Sequence, residues 1–345
     1  MKIISVISGL FLTGLLICGC ENIFIEPAGT GKNYEDFEAA WKRVNDVYPF
    51  LEFKNIDWDS LYYEYLPRVE AARGDEFYTV LGELLAELKD GHVYYKFPGG
   101  GEVYPYYPER HFKDRHAYSP FVVRKYFDIE LIVTESTSAE YQVLPENIGY
   151  VFLSDFHDKN FPNEFTEILG YLKDTKGLII DIRQKRGGYL HNAQAVVSRF
   201  ITSPMAWPEL YSLGKPVKID PIQPQGPFTY SNPVVVLING STFSAGEMTT
   251  ELLKNIPGIT AVGDTTGGGG GISLNNTTAT RPEFELPGGI IISIPSGYMA
   301  RYDGLPWEWL GIPPDIRVEQ TAEDITDGRD RQLEYAINFL TGKSD

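Results

Sequence analysis

Residues 233–255 read PVVVLINGSTFSAGEMTTELLKN, and the order of residue types in this stretch sets the architecture. Val234–Ile238 is an unbroken apolar run, not an alternating one. Such a run suits a strand covered on both faces, as in a parallel sheet. Small polar residues follow, and residues 244–255 then take up helical spacing, with Pro257 just beyond. Strand, polar junction and helix make one half of a βαβ unit.

The same grammar extends in both directions. NIGYVFLSDF (147–156) and GLIIDIR (177–183) read as strands. Phe165, Ile168, Leu169 and Leu172 mark a helix between them, and residues 190–201 are helical. ITAVGD (259–264), GGIIISIPSG (288–297) and PDIRV (314–318) are strand-like, and a last helix carries Leu333, Ala336, Ile337 and Leu340. Alternating strands and helices predict an α/β core with a largely parallel sheet over 147–345.

Upstream the pattern differs. Phe37, Trp41, Val44 and Tyr48 share one helical face that Pro49 ends, a less regular helix lies near 58–70, and Phe77, Leu81, Leu84, Leu85 and Leu88 form a third stripe. Residues 34–92 therefore read as a small helical subdomain. Residues 93–146, rich in Tyr, Pro and Gly, read as an irregular insert with strand-like pieces at 121–123 and 130–133.

The chain has 345 residues, 30 basic against 47 acidic, for a net charge of −17. Phosphate contacts need clustered Lys and Arg, so nucleic acid is not an expected partner. The first 20 residues, MKIISVISGLFLTGLLICGC, carry Lys2 and then an apolar run to Ile17, the layout of a signal peptide. Its end resembles a bacterial lipoprotein box with Cys20 as the lipid-bearing residue, and residues 21–33 read as a linker. That places the protein outside the cytoplasm, tethered to the cell envelope. Both cysteines, Cys18 and Cys20, lie in this segment, so the remaining chain has no disulfide and no thiolate chemistry.

Ser244 stands past the C-terminal end of a strand, where open α/β sheets place function. Thr242-Phe243-Ser244-Ala245-Gly246 is similar to the G-x-S-x-G nucleophile elbow, with Thr in place of the first glycine. Ser244 with Glu247 three residues on is equally a helix capping box. DIRQKRGG (181–188) ends another strand, and its paired glycines give either a tight turn or backbone N–H groups for an oxyanion. LKDGHVYY (88–95) sets His92 after Asp90 and Gly91. His suits proton transfer near neutral pH, and His191, three residues past Gly188, is a second candidate. The glycine run in GDTTGGGGGIS (263–273) lacks the Lys-Ser/Thr of a phosphate loop, and no helix follows it. No metal-ligand motif appears, and no metal or cofactor is expected.

Taken in order, LKDGH, DIR-x-x-x-GG, NGSTFSAGE, VGDTTGGGGG and WEWLGIPPDIRV before a D-x-x-L-x-x-A helix resemble the tail-specific, or C-terminal processing, serine peptidase family. The resemblance covers residues 83 to 340 and implies a crotonase-like α/β fold with Ser244 as nucleophile. One branch of the family uses a lysine shortly after the nucleophile. Here Thr266-Gly267-Gly268-Gly269 occupies that place, and Lys254 lies too early, on the helix. The other branch, similar to the tricorn core and retinoid-binding-protein-like domains, uses a histidine and a glutamate, which match His92 and Glu308.

The resemblance then implies an acyl-enzyme on Ser244, with His92 as base and Glu308 supporting it directly or through another group. It assigns oxyanion donors at Ala245 and at Gly187 or Gly188. The substrates implied are peptides or unfolded protein tails. Three departures stand out. Gly91 replaces the serine that bridges to the histidine in tricorn-like enzymes, leaving Asp90 as an alternative orienter. Lys185 stands where the family has Asn. Residues 93–146 show no recognisable PDZ segment. A histidine base with an ordinary pKa of about 6.5 would lose activity below about pH 6. The competing reading is a non-catalytic protein on the same fold that binds peptides or apolar ligands.

Overall fold

The computed structural model describes residues 31–110, 116–184, 187–272 and 283–343, with two short strands at Leu274–Asn275 and Thr278–Ala279. The expectations for Cys18, Cys20 and Lys185 fall outside these residues. Among the described residues no helix is long and apolar enough to cross a membrane.

A seven-stranded sheet forms the centre. Its order is Ile316–Arg317, Ile259–Gly263, Val234–Ile238, Leu178–Asp181, Gly149–Leu153, Ala139–Val143, Ile132–Val133. The first five are parallel, and the last two add antiparallel. Every residue of Val234–Ile238 and Leu178–Asp181 is buried. Successive side chains point to opposite faces, which divides the core in two. Ile180, Val236 and Ile238 pack with the helices Phe161–Leu172, Leu190–Val197 and Ala245–Lys254. Ile179, Val235 and Leu237 pack with Leu333, Ala336 and Ile337 of the last helix, Arg331–Thr341.

The stretch 93–146 is not a separate insert. Its strands at 132–133 and 139–143 extend the central sheet, because Gly149–Leu153 offers an open edge to a short antiparallel meander. Residues 121–123, expected as a strand, lie in the short helix Pro120–Arg124. Pro120 fits the first helical turn, where its missing N–H costs nothing.

The N-terminal helices Lys32–Val47, Trp58–Ala71 and Glu76–Ala86 build a second core, joined by Leu286, Ile290, Ile292 and Ile294 from far along the chain. The bridge is an antiparallel sheet in which Tyr94–Lys96 pairs with Ile291–Ser293. Two hydrophobic cores therefore meet beside residues 88–96.

One polar link fixes the end of the central sheet. Arg183 is fully buried, donating Nε and Nη2 to Asp181 at 3.0 and 2.7 Å and Nη1 to Asp330 at 2.8 Å. Asp330 also caps the last helix, accepting from the Leu333 N–H at 2.9 Å. Removing Arg183 strands two buried carboxylates. Arg183→Met is expected to lower unfolding free energy by about 3–5 kcal/mol in urea denaturation, and a loss within about 1 kcal/mol would contradict this account.

Candidate active site

Ser244 sits where the strand Val234–Ile238 turns into the helix Ala245–Lys254, with φ 54° and ψ −119°. A non-glycine residue in this region is strained, and such strain concentrates at functional sites. The elbow is pinned at both ends. Thr242 donates Oγ1 to the Ile182 carbonyl at 3.0 Å, tying it to the neighbouring strand end. The Ser244 N–H donates to Glu247 Oε2 at 2.9 Å. The glutamate half of the capping box is therefore present, and cap and elbow are one structure.

Gly187 and Gly188 reach this elbow with φ of 119° and 135°. A Cβ on Gly187 would stand 2.8 Å from Ser244 Cβ, 3.2 Å from its Oγ and 3.5 Å from the Ala245 nitrogen. Only glycine allows the 187–188 backbone to come so close. Ala245 opens the helix, so its N–H has no partner inside it. Ala245 and Gly187, two of the expected oxyanion positions, thus lie side by side at Ser244. Gly188 instead packs on the Phe156 backbone, where a Cβ would lie 2.5 Å from its carbonyl carbon.

His92 lies half-buried, its ring stacked on Phe243 with centroids 4.8 Å apart. Its two ring nitrogens are buried and have no hydrogen-bond partner among the described residues. His92 therefore stands next to the elbow without a hydrogen bond to Ser244. Asp90, His92 and Glu308 bring one atom each within 4.8 Å of one another. Asp90 Oδ1 accepts from the His92 backbone N–H at 2.8 Å and stands 3.7 Å from Nδ1, a contact that is electrostatic, not a hydrogen bond.

Phe243 also explains Gly91. A Cβ there would meet the Phe243 ring at 2.9 Å and Pro108 at 3.3 Å. The ring fills the place of a bridging serine, and both carboxylates flank the imidazole directly.

The glycine run turns its N–H groups on two buried carboxylates. Gly268 and Gly269 each donate to Glu247 at 2.7 Å, and Thr266 Oγ1 donates to it at 2.6 Å. Gly270 and Gly271 donate to Glu308 Oε2 at 2.8 and 3.3 Å. Side chains would collide here: a Cβ on Gly269 would lie 2.2 Å from Phe243, and one on Gly270 2.6 Å from the Glu308 nitrogen. The run is a nest for the protein's own anions.

Sequence reasoning missed the cation behind the site. Lys54 is buried, and its Nζ donates to Glu308 Oε1 at 2.6 Å, to Tyr48 Oη at 2.9 Å and to the carbonyls of Leu88 and Lys89 at 2.9 and 3.0 Å. Tyr48 Oη in turn donates to Asp90 Oδ2 at 3.0 Å. No periodicity marks a lone lysine in LEFKNIDW as buried. Its ammonium occupies Glu308 Oε1, one of the oxygens of the Asp90, His92 and Glu308 group.

These contacts set the charges. Burial pushes Glu308 up to about 7, Asp90 adds to this, and Lys54 opposes it. Burial also pushes Asp90 up, but Lys54 and His92 outweigh it and hold that carboxyl down at about 2. Burial alone would lower His92; Asp90, Glu308 and Glu247 reverse this and raise it. His191 is elsewhere, exposed and stacked on Tyr189 at 5.3 Å. Lys254 donates to the Pro313 carbonyl and pairs with Asp315 at 3.3 Å, so its ammonium is engaged at the far end of its helix from Ser244.

Two segments of the chain match known protein families. Residues 147–318 match peptidase family S41, and residues 32–86 match the tricorn protease C1 domain. Tricorn protease homolog 1 of Streptomyces coelicolor is 30% identical over 164 residues, 47% of this chain and 14% of that one. A carboxyl-terminal-processing protease of Synechocystis is 28% identical over 202 residues, 57% of this chain and 44% of that one. The chain thus spans less than half the length of either relative. The crystal structure of a candidate peptidase from Parabacteroides merdae superposes with a TM-score of 0.77 at 27% identity, covering 92% of this chain and 99% of that one. With the S41 core following a tricorn C1 segment, the chain is a member of peptidase family S41.

Proposed function

We propose that the chain is a serine peptidase of the Ser-His-Glu type, hydrolysing peptide bonds in peptides or unfolded protein tails. The observation that carries this reading is the strained elbow at Ser244, with the Gly187 backbone and Ala245 N–H packed against it. His92 takes the Ser244 proton as Oγ attacks the scissile carbonyl. The oxyanion forms beside Ala245 and Gly187. His92 then protonates the leaving amine. Water, deprotonated by His92, attacks the ester, and Ser244 is released with the acid product. Asp90 and Glu308 offset the charge His92 carries midway. The unpartnered ring nitrogens of His92 fit this role, since a base must keep a lone pair available.

The N-terminal segment adds export and a lipid anchor on Cys20 to the proposal. Cys20→Ser is expected to release the protein from the membrane fraction, and unchanged attachment would count against the anchor.

A phosphonofluoridate probe tests the nucleophile. Labelling is expected on Ser244, absent in Ser244→Ala and reduced about 10²–10⁴-fold in His92→Ala. Labelling indifferent to His92 would sink the Ser-His mechanism. The pH dependence follows from the raised His92. A base must be neutral to accept a proton, and a raised pKa keeps it protonated to higher pH. The acid limb of the labelling rate therefore lies at higher pH than an ordinary histidine would give, and a full rate at pH 5 would contradict it.

A further inference from the structure

Lys54 is the one described cation in contact with the carboxylates beside His92, and it is walled in. Its side chain and that of Glu308 are 2% and 1% exposed. Beyond its four hydrogen bonds, Nζ lies 5.6 Å from the ring centres of both Tyr48 and Phe50. A buried ion pair with no further role is often replaceable by apolar residues. This one is continuous with the base. Glu308 Oε1 faces Lys54, Oε2 takes the Gly270 and Gly271 N–H groups, and a carboxylate oxygen lies within 4.8 Å of both His92 and Asp90.

We propose that Lys54 is a positioning residue for the His92 base, favouring the ionised form of Glu308 and fixing it against the imidazole. The proposal rests on the reading of Ser244 and His92 given above. Five other titratable groups face this cluster: Tyr48 from the end of the first helix, Asp90 and His92 from the 88–92 turn, Glu247 from the elbow helix, and Tyr106 from the segment crossing Gly91. Among the described residues Lys54 is the one lysine or arginine paired with this cluster. Asp90 and Glu308 would otherwise be two buried anions side by side, and one of them would bind a proton.

The sign of the effect is fixed. Without Lys54, either Glu308 stays protonated to higher pH or His92, losing a cation nearby, becomes more basic. In the first case activity waits for Glu308 to ionise and in the second for His92 to lose its proton, so the acid limb moves upward in either.

The site also offers a way to restore the charge. Lys54 lines a cavity of about 280 Å³ with Asn55, Ile56, Asp57, Ser60 and Trp309 among its walls. Truncation to alanine would open this cavity toward Glu308, with room for a small alkylammonium ion.

The test uses the full chain. Phosphonofluoridate labelling of Ser244 is followed against pH in wild type, Lys54→Met and Lys54→Ala, and the Glu308 carboxyl is titrated by ¹³C NMR, with Glu308→Gln to assign it. Both the Glu308 midpoint and the acid limb are expected to rise by about 1–3 pH units in Lys54→Met. At pH 7 labelling should fall about tenfold or more and recover at high pH. Ethylammonium added to Lys54→Ala should restore much of the rate, which a purely structural loss would not permit. An unchanged acid limb, or a uniform loss that neither pH nor ethylammonium repairs, overturns the proposal. Wild-type protein that fails to label would instead sink the nucleophile reading, whereas an unmoved Glu308 midpoint in Lys54→Met sinks only the present inference.

Discussion

Two carboxylates taken out of water govern this structure. Glu247 and Glu308 are both essentially fully buried, and a buried carboxylate is tolerable only when its oxygens are satisfied. The backbone of residues 268–271 supplies two hydrogen bonds to each. Glu247 thereby binds the nucleophile elbow to the glycine run. Glu308 binds the same run to Lys54 and the histidine turn. Gly267 to Gly270 are required because this part of the chain must press against Phe243 on one side and the 308–309 backbone on the other, and a Cβ on Gly271 would meet Pro295 at 2.8 Å. A nucleotide phosphate would have to displace protein anions already seated there.

Much of the fold was legible because it rests on local rules. Continuous apolar runs gave the buried strands, and helical spacing gave the helices on either face. Ser244, Gly187 and Ala245 could be brought together from motif order alone, since all sit at the same ends of neighbouring parallel strands. What escaped was non-local. Lys54 is 254 positions from Glu308, and no pattern in LEFKNIDW points to its partner. Residues 286–294 joined the helical core, though their sequence resembles any apolar strand. The strand expected at 121–123 failed through composition: Phe-Val-Val has high β preference, but Pro120 and the preceding Ser favour a helix start.

The departures from the family pattern have physical causes in the neighbours. Gly91 is small because Phe243 and Pro108 occupy the space a side chain would need. Phe243 in turn stacks on His92 and restricts the ring. The absent lysine after the nucleophile is matched by Gly267–Gly269, whose room is taken by the same phenylalanine and by the Trp309 backbone. One aromatic residue thus connects what look like separate substitutions in the sequence.

The halves of the site belong to different cores. Lys54, Asp90 and His92 hang from the N-terminal helices, whereas Ser244, Glu247 and Glu308 hang from the central sheet and its loops. The helical core is itself incomplete until residues 286–294 arrive. A chain emerging from its N-terminus can therefore form neither a settled base nor its partner carboxylate before most of the sequence is out. The division works as an interlock: a half-made chain carries the parts of the site without their alignment.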